Sequence, residues 1–138
     1  MVSLIEKLPN WLRWLLFFPF AIIGHFIINI VIVAINEISL PNFITDGFIY
    51  NIWLRIVSDG FAAAGSVWIG STIAPKYRFR VAIALSLVLI ISTFYTVIHY
   101  WNLPFYEQVN FSFFDLFVSL IVTIIGSISA SFQFYNKD

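Results

Sequence analysis

The stretch Val81-Ala82-Ile83-Ala84-Leu85-Ser86-Leu87-Val88-Leu89-Ile90-Ile91 decides the class of this chain. It is an unbroken run with no charge, and it lacks the alternation of apolar and polar residues that marks a strand of a membrane barrel. Extended from Phe79 to Trp101, it is long enough for a helix to cross the hydrocarbon core of a bilayer. That core is ~30 Å thick and takes about 20 residues at ~1.5 Å each. Three further segments read the same way, so four spans are predicted: Trp11–Asn36, Gly47–Ala74, Phe79–Trp101 and Phe113–Tyr135. The pieces between them are too short for an extramembrane domain. The 138 residues are therefore read as a single membrane domain, an all-α antiparallel bundle of four transmembrane helices.

Composition agrees. Apolar residues make up 61% and charged residues 10% of the chain, against the ~45–50% and ~25% of soluble domains. Seven Lys and Arg balanced by seven Asp and Glu cannot build a basic groove, so nucleic acid is excluded as a partner. Without cysteine there is no disulfide, no thiolate nucleophile and no Cys-based metal site. Metalloprotease, nucleophile-elbow and phosphate-loop motifs are absent, and the two histidines, His25 and His99, fall at different depths. The expectation is a protein that is not an enzyme and carries no metal and no cofactor. The N-terminal apolar run continues to Ala34 without a small-residue cleavage site, so span one is expected to be retained.

Local signals place the ends of the spans. Asn10 and Asp46 are expected helix caps, and Pro75 stops span two. Ser112 and Asp115 have capping-box spacing ahead of span four. Four residues separate spans two and three, which forces a hairpin. Lys7, Arg13, Lys76, Arg78, Arg80 and Lys137 all flank one side, and the other two loops contain no Lys or Arg. Basic residues favour the cytoplasmic side, so both termini are expected there. Trp11, Trp14, Tyr77 and Tyr135 would mark that interface, and Tyr50, Trp53, Tyr100 and Trp101 the outer one.

Small residues allow helix backbones to approach closely in lipid. At 100° per residue, Ala62, Ser66 and Gly70 share one face of span two with Ala63, opposite Phe61 and Trp68. Ser119, Thr123, Gly126 and Ala130 share a face of span four, and Ala82, Ser86, Leu89, Thr93, Thr96 and Tyr100 form a row on span three. These stripes serve either packing within the bundle or contact with a second copy or another membrane protein.

Ionisable groups within a membrane are costly, and each calls for a role. His25, Asn29 and Asn36 share a face of span one, and Arg55 and Asp59 stand i, i+4 on span two. His99 and Asp115 lie at the outer ends of spans three and four. Together these groups either converge on an outward-open polar vestibule with Arg55 and Asp59 at its base, or separately pair, cap and snorkel.

Gly65-Ser66-Val67-Trp68-Ile69-Gly70-Ser71-Thr72-Ile73-Ala74-Pro75-Lys76 and Leu12-Arg13-Trp14-Leu15-Leu16-Phe17-Phe18-Pro19 resemble small uncharacterised bacterial four-span integral membrane proteins. The resemblance implies a bacterial inner membrane and brings no activity. Small multidrug transporters are similar only in size, because the Glu they embed in the first span has no counterpart before Glu37. The function expected is a membrane subunit that works through helix–helix assembly, in a homo-oligomer or a larger complex. The alternative is a small transporter or channel for an ion or small solute, using the polar residues of spans one and two.

Overall fold

A computed structural model describes residues 7–39, 48–102 and 113–135. Within them the chain is all α: α1 (Asn10–Ser39), α2 (Phe48–Ile73), α3 (Arg78–Trp101) and α4 (Phe113–Phe132). Each helix is long and apolar enough to cross a membrane. Helices are the form such segments must take, because in hydrocarbon every backbone N–H and C=O has to be satisfied within the segment.

The helix ends follow local chemistry. α1 begins at Asn10, and the Pro9 carbonyl accepts from Leu12 and Arg13 N–H at 3.0 and 3.1 Å. Proline, not Asn10, thus occupies the cap position, a shift of one residue from the expectation. α1 then runs to Ser39, three residues beyond the predicted Asn36, and keeps Pro19 inside it. α2 ends at Ile73 because Ala74, the residue before Pro75, is disfavoured in helical geometry. Tyr77 precedes α3 in the left-handed region, with φ 56°. The final turn beyond α4 tightens, with Gln133, Phe134 and Tyr135 N–H donating three residues back. Asp46, Gly47 and Ser112 lie outside the described residues.

α2 holds the assembly together. It packs along α1 and α4 and meets α3, while α3 also packs on α4. The reason is visible at Gly70, where a Cβ would stand 2.5 Å from Leu85 Cδ1, 3.0 Å from Ala21 Cβ and 3.4 Å from the Phe17 carbonyl. Three helices therefore meet at one missing side chain. On the α4 side, a Cβ on Gly126 would strike the Gly60 backbone carbonyl. The core is small and built around this contact surface: Ala21, Val67, Ala74, Val81, Ala82, Leu85, Ala130 and Phe134. Ala62 and Ser66 are buried on α2, as are Thr123 and Ala130 on α4, whereas Phe61 and Trp68 are exposed.

Two other helices are less enclosed. Along α1 the buried residues are Arg13, Ala21 and Gly24. Along α3 burial is concentrated near the turn, at Val81, Ala82, Leu85 and Ser86, with Val97 alone buried further out. Of the row expected on span three, Thr96 is exposed and Thr93 and Tyr100 are half-buried. Tyr50 is also buried and does not stand with Trp53 and Trp101 as an exposed ring. The outward surface carries Phe, Ile, Leu and Trp in quantity. Apolar side chains at these positions match a hydrocarbon solvent, where association comes from close packing and interhelical hydrogen bonds.

Candidate functional site

Asp59 stands at the centre of the polar side chains. Its position twelve residues into α2 sets it one turn after Arg55, whose Nη1 lies 3.8 Å from Asp59 Oδ2. Ser119 of α4 donates to the same oxygen at 2.6 Å. Asn29 of α1 donates from Nδ2 to Oδ1 at 3.4 Å, and neighbouring Ser58 from its hydroxyl at 3.5 Å. One carboxylate thus receives donors from three helices. Its side chain is 15% exposed and that of Arg55 31% exposed, so the arginine head reaches outward while the carboxylate sits inside. A hydroxyl bonded to a carboxylate at this distance is a charge-assisted hydrogen bond.

The remaining predicted residues take different places. Asn36 donates to the Ile32 carbonyl of its own helix at 2.8 Å. His99 is exposed and stacks on Tyr95 of its own helix, rings 6.1 Å apart and 10° from parallel, so it stands apart from the Asp59 cluster. Asp115 is half-buried in the first turn of α4, where a negative charge favours the helix dipole. The cluster accordingly unites Asn29, Arg55 and Asp59 with Ser58 and Ser119, and does not draw in His99. Ser119, read from the sequence as a packing residue, is the shortest polar contact in it.

His25 is half-buried on α1, with its ring edge-on to Phe26 at 6.0 Å. Its Nδ1 is buried without a hydrogen-bond partner among the described residues. The ring forms part of the wall of a groove of about 310 Å³ between α1 and α3, with Ser66 of α2 at its floor.

Two further polar contacts were not legible beforehand. Arg13, read as a flanking charge, is 6% exposed. Its Nε donates to the Ile73 carbonyl at 2.9 Å and its Nη2 to the Ala74 carbonyl at 3.1 Å. These carbonyls end α2 and have no intrahelical donor, so Arg13 of α1 acts as the C-terminal cap of another helix. Arg78 Nε also approaches the Ala74 carbonyl, at 3.4 Å. Between α3 and α4, Ser86 Oγ lies 2.9 Å from Ser131 Oγ and 3.1 Å from the Ser127 carbonyl, to which Ser131 donates at 3.0 Å. Positive residues at an interface and serines in a span are common enough that neither pattern points to its partner.

Chemically, the Asp59 cluster can anchor helices or hold a small polar solute. Among the described residues, no three of His, Asp and Glu stand together as metal ligands. The class defined here is a multi-pass α-helical protein with four candidate membrane spans. Comparison with protein-family models, with curated proteins and with solved structures gives no match.

Proposed function

We propose that this chain is a non-enzymatic integral membrane subunit that acts by helix–helix assembly, with a second copy or within a larger membrane complex. The observation that carries the reading is the use of the polar groups. Asp59 is engaged by Arg55, Asn29 and Ser119, and Ser86 and Ser131 engage each other, so the intramembrane polar side chains join helices. At the same time α1 buries only Arg13, Ala21 and Gly24, which leaves most of its length for a partner helix. The four helices form an antiparallel bundle in a bacterial inner membrane with both termini in the cytoplasm. The basic residues around the α2–α3 turn support that orientation.

The test is the mass of the protein extracted in native lipid nanodiscs. Discs holding more than one copy, or one copy with another membrane protein, are expected. Uniform discs with one copy and no other protein would overturn the reading.

A second reading is a small transporter or channel, favoured by the partly exposed carboxylate of Asp59 beside Arg55. It is distinguished by flux. Reconstituted protein should pass no ions under the first reading, whereas under the second flux appears and is lost in Asp59→Asn.

A further inference from the structure

The groove between α1 and α3 is lined by three polar side chains, and two of them are spent. The hydroxyls of Ser66 and Ser92 donate to the Ala63 and Leu89 carbonyls of their own helices, each at 2.9 Å. His25 is the third. Among the described residues that line the groove it alone can ionise, and within them neither ring nitrogen is hydrogen-bonded. Nδ1 is enclosed, which leaves Nε2 as the accessible nitrogen. At 100° per residue, Ala21, His25, Phe18, Ile22 and Phe26 fall side by side across about 140° of α1, so the imidazole stands within the stripe that lines the groove. Leu85, Val88 and Leu89 of α3 form the opposite wall. Phe26 and Val88 are exposed, so the groove opens sideways toward lipid.

A neutral imidazole has one N–H donor and one bare acceptor nitrogen. Buried N–H groups without a partner are rarer than buried acceptors without one, so the proton belongs on Nε2, where a partner can reach it. The groove then offers a single donor in an apolar wall, and its complement is an apolar molecule with an acceptor oxygen. Depth narrows the class. His25 is fifteen residues from Asn10 and fourteen from Ser39, in the middle of α1. The ester carbonyls of phospholipids lie outside the hydrocarbon core and thus ~15 Å from its centre, half of ~30 Å. A carbonyl that meets His25 therefore belongs to a molecule dissolved in the core itself. A quinone has this chemistry: a flat neutral ring with acceptor oxygens and an apolar tail. Phe18 and Phe26 supply aromatic faces for such a ring. The volume, about 310 Å³, lies at the small end of ligand pockets, ~300–1,000 Å³.

We propose that His25 carries its proton on Nε2 and that the α1–α3 groove binds a membrane-dissolved quinone, a ring carbonyl accepting from Nε2–H and the tail passing out into lipid between the two helices. This goes beyond the assembly reading and does not rest on it. The groove lies within one copy, and Phe20 and Ile27, exposed on the opposite face of α1, remain for a partner helix.

Nitrogen NMR of the His25 ring tests it, with isotope-labelled histidine in the His99→Gln protein, held in phosphatidylcholine nanodiscs. The spectrum is expected to show the proton on Nε2, and added decylubiquinone should shift the Nε2–H signal saturably. Decylbenzene, which has a ring and a tail but no carbonyl, should leave the signal in place. Val88→Trp, which adds bulk to the groove wall at an exposed position, should raise the quinone content needed for half-saturation about ten-fold. Ile27→Trp, on the opposite face of α1, should match the parent protein. A proton on Nδ1 would overturn the proposal. So would an Nε2–H signal that decylubiquinone leaves unmoved, the result expected if phospholipid, water or a second copy of the chain holds the groove. An equal shift with decylbenzene, or unchanged half-saturation in Val88→Trp, would overturn it too. None of these results bears on the copy number found in nanodiscs.

Discussion

Ser119 donates its hydroxyl to Asp59 Oδ2 at 2.6 Å, and this one contact ties α4 to the middle of α2. Asn29 reaches the other carboxylate oxygen from α1. Removal of the carboxylate is expected to cost more than removal of either partner, because it frees both and also removes the ion pair with Arg55. Ser119→Ala should destabilise by about 1 kcal/mol, the scale of interhelical hydrogen bonds in membranes. Asp59→Ala should cost about 2 kcal/mol, an amount moderated by the exposure of Arg55. Unfolding of the reconstituted protein, run as a double-mutant cycle on Ser119 and Asp59, checks this. Strictly additive losses would show that the two side chains are not coupled.

Arg13 gives a prediction at the other end of α2. Arg13→Gln should destabilise by about 2 kcal/mol, since two charge-assisted bonds to carbonyls are lost. Arg13→Lys should recover only part of this, because an ammonium cannot span the Ile73 and Ala74 oxygens with the planar fork of a guanidinium. Thermal unfolding in detergent ranks the three proteins. A lysine variant as stable as wild type would mean that charge, and not the fork, is what α2 requires.

Glycine substitutions separate backbone contacts from side-chain contacts. The Cβ of Gly126→Ala meets the Gly60 carbonyl, which cannot move without shifting α2, so a loss of about 1–3 kcal/mol is expected. In Gly65→Ala the new methyl meets the end of the flexible Ile28 side chain, which can change rotamer, and the effect should be smaller. Folded yield and melting temperature report the difference. The opposite order would place the close approach of α2 on α1 instead of on α4.

Bulk on the two sides of α2 should behave differently. Gly70→Leu introduces volume where Ala21, Phe17 and Leu85 already crowd against α2, and Ser66→Leu replaces a buried, hydrogen-bonded hydroxyl at the floor of the α1–α3 groove, whereas Trp68 is 47% exposed on the outside. Both leucine variants should lose expression or assembly, and Trp68→Leu should retain them. Three variants with the same yield would contradict this arrangement of faces.

Orientation is open to labelling, since the chain has no native cysteine. Cysteine introduced at Asn42 or Asn102 should react with a membrane-impermeant reagent on intact cells, while cysteine at Lys76 should be protected. The inverse pattern would turn the protein over in the membrane.

The sequence by itself determined the class and the spans. Predominantly apolar segments of about 20 residues or more have one stable form in hydrocarbon, so Phe79–Trp101 and its three counterparts could be placed to within a few residues. Spacing alone also set Arg55 and Asp59 one turn apart, because that relationship lies within a single helix. What a helix meets is a different matter. Periodicity gives the face on which Ser119 or Asn29 lies, but the partner depends on axial shift and on which helix becomes the neighbour. Those are decided by close contacts such as Gly126 against Gly60 and Gly70 among Ala21, Phe17 and Leu85. His99 shows the limit: its expected depth matched that of Asp59, yet its ring stacks on Tyr95. Arg13 shows the converse, since a residue that reads as an interfacial charge caps a helix sixty residues away. In a bilayer the surrounding solvent fixes the secondary structure of each segment, while the pairing of helices depends on small differences in packing that only the tertiary structure resolves.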